Sequence, residues 1–285
     1  MILSFHPCFE SEKNIICAGR NPEASDLLEI QQADAVILPQ GCRKELFEMA
    51  RNHCPHVFPN YDARFQFPGK IGQIDLFKQT GVLYPKTLSF LNLDDYSLKS
   101  RNGKDLADLS YPYVFKFSWG GEGDTVFLIR TISDMEKQLL RAEQFEKTGL
   151  KGFLIQEHIA CGNRSLRVAV IGKTVRSYWR IRKNENHFAA SVSKGSLIDF
   201  QQDPELQQKA IHAAREFCAI TGINLAGFDF LFSENDKEPL PFFLEINYFF
   251  GRKGLGGSEA YYQILNHEIQ RWITSLALST SPGCA

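Results

Sequence analysis

"FFLEINYFFGRKGLGG", residues 242–257, sets a carboxylate and a carboxamide two residues apart in an apolar run and leaves through arginine, lysine and glycines. Side chains alternate along a strand, so Glu245 and Asn247 share one face of an otherwise apolar run. Working back along the chain, "LAGFDFLF" and "LPFFLEIN" flank the polar run "SENDKE", which reads as the turn of a hairpin. Folding there brings Asp229 of the first strand beside Glu245 and Asn247, so three oxygen donors converge. Oxygen donors without histidine or cysteine suit magnesium or manganese, and such sites usually carry a nucleotide phosphate as well. The blander alternative, a solvated strand face, sits poorly with Phe228, Phe230, Phe243, Leu244 and Ile246 around them.

A second polar group interrupts an apolar run in "YPYVFKFSWGGEGDTVFLI". This reads as two strands around a glycine loop, with Lys116 pointing away from the face of Phe115 and Phe117. A lysine on a buried strand is costly without an anionic partner, and a phosphate would be one. Gly120, Gly121 and Gly123 would let backbone amides approach phosphate oxygens, although any tight hairpin can contain glycines. Neither GxxxxGK[ST] nor GxGxxG occurs, which excludes a P-loop and makes a dinucleotide site improbable.

Composition bounds the rest. The 285 residues are 44% hydrophobic, enough for a substantial core in two or three small domains. Lys+Arg at 32 against Asp+Glu at 33 lacks the basic excess of a nucleic-acid binder. Seven cysteines are scattered without CxxC or zinc spacing and read as reduced thiols. No stretch is long and apolar enough for a membrane span, and the first residues lack a basic leader, so the expectation is a soluble cytoplasmic protein.

Along residues 1–65, short apolar runs ("MILSF", "NIICAG", "DAVILP", "HVFP") alternate with helical stretches, the pattern of a small parallel sheet. A helix over 70–81 ending at Gly81 follows, then the lysine hairpin and a helix whose capping box we place at Ser133 and Glu136. "FLIQEHI", "SLRVAVIG" and "TVRSYWRIR" read as strands, the last two joined by a Gly172–Lys173 turn. A helix capped by Asp203 and Pro204 runs to Gly222, and a final helix over 258–277 packs on the sheet. Arg176, Arg180 and Arg182 share strand parity and give either a converging basic face or a solvated one. No histidine stands in a recognisable nucleophile motif, so no general base is named.

Taken in order, Lys70 before a helix, "FKFSWGGEGDTVFL", "FLIQEHI", "SLRVAVIGKTV", "GFDF" and "FLEIN" resemble the ATP-grasp superfamily, most closely its RimK-like glutamate ligase branch. The resemblance covers roughly residues 65–250 and implies an α/β fold of two α+β subdomains. By position, residues 1–65 are similar to its small Rossmann-like pre-ATP-grasp domain, with 66–155 and 156–285 as the two subdomains. It implies a ligase that uses ATP and magnesium (or manganese) to join a small-molecule carboxylate to an amine, a peptide being one candidate substrate. Nucleic acid and membrane are not implied partners, and a homodimer stays open.

Residue by residue, the resemblance gives Lys70 and Lys116 to the ATP phosphates and Gly120, Gly121 and Gly123 to a flap over them. Gln156, Glu157, His158 and Ile159 match the hinge that reads the adenine edge. Asp229, Glu245 and Asn247 match the metal ligands, and Arg167 and Arg180 lie near the transferred phosphoryl group. Three departures stand out. Ser165 in "SLR" replaces the branch's aspartate on the ribose side, and Ser191 stands where the family has asparagine. "YFFGRKGLGG" replaces Ser-Pro-Gly after the metal strand, so the acceptor pocket should differ, with Arg252 and Lys253 as its anchors.

Overall fold

Three sheets follow one another along the chain, built mostly from the runs just described, with Thr87–Phe90 and Leu197–Asp199 as strands that no such run marked. The computed structural model describes residues 1–17, 19–101, 109–121, 123–182 and 196–277; Ser191 and Lys183 lie outside them. The first sheet holds β1 (Ile2–Ser4), β2 (Lys13–Asn14), β3 (Ala35–Ile37) and β4 (Val57–Phe58), with α1 (Ala24–Gln32) and α2 (Lys44–His53) between strands. Its order is β2-β1-β3-β4, and every pairing is parallel. The two central strands, β1 and β3, are buried on both faces, as continuous apolar runs require, while the edge strand β2 is partly exposed.

A short helix α3 (Asp62–Gln66) leads into α4 (Gly69–Thr80), which stops at Gly81 with φ 69°. Only glycine enters this left-handed conformation cheaply, so the helix ends there. The second sheet joins β5 (Thr87–Phe90), β6 (Tyr113–Phe117), β7 (Val126–Ile129) and β8 (Phe153–Glu157) in the antiparallel order β5-β8-β6-β7. The helices α5 (Leu93–Arg101) and α6 (Ile132–Lys147) accompany it. The capping box of α6 is Thr131 with Asp134, two residues earlier than expected: Thr131 Oγ1 accepts from Asp134 N, and the Asp134 carboxylate accepts from Thr131 N. Both pairs fit the same spacing rule, and the earlier one keeps Ile132 inside the first turn.

The third sheet is antiparallel in the order β11-β10-β9-β12-β13, from β9 (Arg164–Ile171), β10 (Thr174–Ile181), β11 (Leu197–Asp199), β12 (Leu225–Leu231) and β13 (Phe242–Asn247). α7 (Pro204–Thr221) and α8 (Gly257–Ser275) cross it. Asp203 precedes α7 but makes no capping bond; its carboxylate accepts from Arg164 at 2.5 Å. A charged partner outcompetes a backbone amide here. α8 puts Tyr261, Leu265 and Ile269 into a core shared with Ile171 and Leu225 of the third sheet and Ala35, Ile37 and Phe58 of the first. This helix is the seam between the two sheets. No helix among the described residues is long and apolar enough to cross a membrane.

Candidate active site

The hairpin of β12 and β13 sets Asp229 directly across from Glu245, and Gly227 across from Asn247. A register shift after Asp229 turns both Leu244 and Glu245 toward the same cleft. That cleft, about 460 Å³, collects sixteen of the seventeen expected site residues on its walls. The exception is Gly120, whose carbonyl instead accepts from Lys70 Nζ at 2.9 Å.

Asp229 is the centre of the polar floor. Arg167 grips it in bidentate fashion, Nε to Oδ1 at 2.5 Å and Nη2 to Oδ2 at 3.1 Å. Arg180 Nη2 lies 2.8 Å from Oδ1, and Asn247 Nδ2 donates to Oδ2 at 3.1 Å. Burial alone would raise the Asp229 carboxyl, but the two guanidinium groups outweigh it and hold it below the usual range. The strand arginines thus serve first to keep a buried carboxylate ionised. Gly227 makes room for this: a Cβ there would sit 2.8 Å from Arg167 Nη1.

Arg180 also donates to Ser165 Oγ at 2.9 Å, which places Ser165 as a brace for the arginine. The buried Nε–H of Arg180 has no acceptor among the described residues, a donor left for an incoming anion. Lys116 is 7% exposed, and burial pushes its ammonium down to about 8, with Lys70 adding to the fall and Glu245 and Asp229 opposing it. Lys70 is likewise lowered, by burial first, and faces Glu245 at 4.0 Å. Four cations therefore face two carboxylates, and the surplus positive charge suits a polyphosphate.

Oxygen donors alone make up the trio of Asp229, Glu245 and Asn247, and this set fits a hard divalent cation. The four hydrogen-bonding directions of Asp229 are taken by Arg167, Arg180 and Asn247, whereas the one polar contact of Glu245 among the described residues is with Lys70. Glu245 is the most available oxygen donor of the three. No cluster of three His, Cys, Asp or Glu side chains occurs among the described residues, since the third donor is an amide.

At the other end, the Gln156 amide is buried and donates to Thr87 Oγ1 at 2.8 Å, and the Glu157 amide donates to the Lys86 carbonyl at 2.8 Å. His158 and Ile159 follow along the wall. Of the three arginines that share strand parity, Arg180 and Arg182, the latter just past β10, reach the cleft and Arg176 is exposed elsewhere. Arg252 and Lys253 lie at the exit, with Arg252 stacked over Tyr261 and Tyr262 at 4.9 and 4.5 Å.

A family model for the RimK-like ATP-grasp domain matches residues 70–273. The chain belongs to the RimK-like ATP-grasp family. Solved structures share the fold at low identity. A D-alanine–D-alanine ligase from Bacillus anthracis complexed with ATP matches at TM-score 0.62 and 14% identity, over 93% of this chain and 85% of that one. A RimK-domain ATP-grasp protein from Sphaerobacter thermophilus matches at 0.57 and 12%, over 94% and 98%. The ADP complex of N5-carboxyaminoimidazole ribonucleotide synthetase matches at 0.59 and 14%, over 86% of this chain and 62% of that one, so the chain spans under two thirds of its length. No curated protein sequence matches significantly.

Sequence reading missed several cleft residues. Gln73, one turn after Lys70 on α4, bonds both backbone groups of Ile246: its Nε2 donates to Ile246 O at 2.8 Å and its Oε1 accepts from Ile246 N at 2.9 Å. Its i,i+3 spacing from Lys70 is the signal that was present. Tyr178 and Cys161 carried none.

Proposed function

We propose that the chain is an ATP-dependent ligase that joins a carboxylate to an amine through an acyl phosphate. The observation that carries this reading is the polar floor, where Lys70, Lys116, Arg167 and Arg180 outnumber Asp229 and Glu245 and a buried Arg180 donor has no acceptor among the described residues. The nucleotide complexes among the fold relatives support ATP as the ligand. In this reading the triphosphate lies against Lys70 and Lys116 and the adenine against the 156–159 wall, with Val114, Leu154 and Leu231 as its apolar sides. Glu245 and Asn247, with Asp229 beside them, would hold magnesium or manganese, the oxygen-donor set a hard cation needs. Such an ion, when bound, would supply positive charge against the phosphate oxygens.

A carboxylate oxygen of the substrate attacks the γ-phosphorus; the P–O bond to it forms as the bond to ADP breaks, and ADP leaves with the electron pair. Arg180 and Lys116 face the charge that develops in this transfer, and preorganised donors of this kind give the largest stabilisation in such sites. The amine nitrogen then attacks the acyl carbon. The C–N bond forms, phosphate leaves with the C–O electron pair, and the amine proton passes to phosphate or solvent. Ser165 and Asp229 keep Arg180 in place throughout. The reaction is placed in the cytoplasm, where the free cysteines stay reduced.

The test is ADP release from Mg-ATP with a pool of carboxylic acids, with and without a pool of amines. The ligase reading expects release that needs both, and a product mass equal to acid plus amine less water. A stable phosphorylated acid would instead make the protein a kinase, and nucleotide binding without turnover would make it a sensor.

A further inference from the structure

Three aromatic residues in a row follow the metal strand, and two of them are pinned. Tyr248 packs edge-on against Tyr61 at 6.0 Å between ring centroids, and Phe250 packs against Tyr261 at 6.0 Å. Phe249, between them, is 71% exposed and lines the cleft. A phenyl ring left in water forgoes the burial that anchors its two neighbours, so covering it would be favourable.

Three residues on, Arg252 is held in a built seat. Its guanidinium stacks over Tyr261 and Tyr262, and its Nη1 donates to Ser258 Oγ at 3.4 Å. The Arg252 carbonyl accepts from Leu255 N at 2.9 Å and Gly257 N at 3.0 Å. Gly254 lies so close to the buried Tyr178 that a Cβ would sit 2.1 Å from its ring, which fixes the turn. The cleft carboxylates pair elsewhere, Asp229 with Arg167 and Arg180, Glu245 with Lys70 and Glu157 with the Lys86 backbone N–H, and no ion pair among the described residues includes Arg252 or Lys253. A stacked arginine facing a cleft without a counterion suits an incoming carboxylate.

We propose that this end of the cleft takes the amine partner as an α-amino acid with a large apolar side chain, its carboxylate on Arg252 and its side chain on Phe249. The inference rests on the ligase reading, which requires an amine. Phe249 and Arg252 line the same cleft three residues apart in the chain, which suits one small molecule carrying an apolar group and an anion, and an α-amino acid also carries the amine. Its nitrogen attacks the acyl phosphate: the amide C–N bond forms, the C–O bond to phosphate breaks with its electron pair on phosphate, and a proton leaves the nitrogen.

Calorimetric titration of the full chain, saturated with magnesium and the imido analogue of ATP, tests this with L-phenylalanine, L-leucine, L-alanine, L-glutamate and L-phenylalaninamide. Phenylalanine and leucine should bind about tenfold tighter than alanine or glutamate, and the amide about tenfold weaker than phenylalanine. Phe249→Ala should erase the phenylalanine-to-alanine ratio and Arg252→Gln the acid-to-amide ratio, with the analogue's own affinity as a separate readout. Equal binding of all amino acids, or a ratio that survives Phe249→Ala, would overturn the proposal. If the analogue does not bind, the ligase reading falls and takes this inference with it. If ADP release needs acid and amine but apolar amino acids hold no advantage, this inference alone falls.

Discussion

Lys116 carries the clearest physical signature in the cleft. Its folded-state pKa of about 8 lies below the ordinary 10.5, so between those values the unfolded chain binds a proton that the folded chain does not. Stability therefore rises with pH across that window, and below it the burial cost is fully present, roughly 3 kcal/mol. Lys116→Met should raise the melting temperature of the ligand-free protein at pH 7, by a margin that shrinks as pH climbs from 8 toward 10.5, while nucleotide affinity falls. Melting curves across that range read both signs. Gly227 offers a complementary test, because its missing Cβ gives Arg167 the space to clamp Asp229. Gly227→Ala should cost about 2 kcal/mol by prising that pair apart, and should weaken nucleotide binding with it. An unchanged melting temperature would show that the guanidinium has room to give.

Strands, helices and turns were largely readable because their signals are local. The hairpin at 225–247, the helix stop at Gly81 and the Gly172–Lys173 turn all follow from alternation or from glycine, and the structure has each of them. What escaped was long-range: β5, a short strand that becomes an edge only by pairing with β8, and the bonds by which Gln73 ties α4 to β13. Asp229 and its two arginines were picked out individually, but their mutual capture depends on β9, β10 and β12 lying side by side, which no spacing rule encodes. The β6–β7 turn is where this matters for function. Lys70 Nζ holds the Gly120 carbonyl, so a ligand phosphate competing for that ammonium would free the turn to close over the nucleotide. Hydrogen exchange at Gly120, Gly121 and Gly123 should slow with Mg-ATP, and Lys70→Met should speed it at Gly120 without ligand. Identical exchange in all three states would make the turn a static one.

The molecule is joined by α8, which packs its apolar face on the first and third sheets and anchors the polar β9–β10 turn of the third. Glu268, 2% exposed, accepts from Lys173 N at 2.7 Å and Thr174 Oγ1 at 2.8 Å. Burial alone would raise this carboxyl; the Lys173 amide, Thr174 and Arg271 hold it below its ordinary 4.5. Its contribution is thus present above about 4.5 and lost as pH falls through the lower folded value. Glu268→Ala should cost about 2 kcal/mol at neutral pH and flatten the acid limb of the stability curve. With the seam intact, the cleft is presented whole, and its central claim is chemical: a carboxylate oxygen takes the γ-phosphoryl group of ATP and leaves with it. The direct measurement is mass spectrometry of the inorganic phosphate formed from ATP, magnesium, an amine pool and carboxylic acids labelled with heavy oxygen in the carboxyl group. The account predicts one labelled oxygen in each phosphate released. Phosphate that carries oxygen from water alone would contradict it.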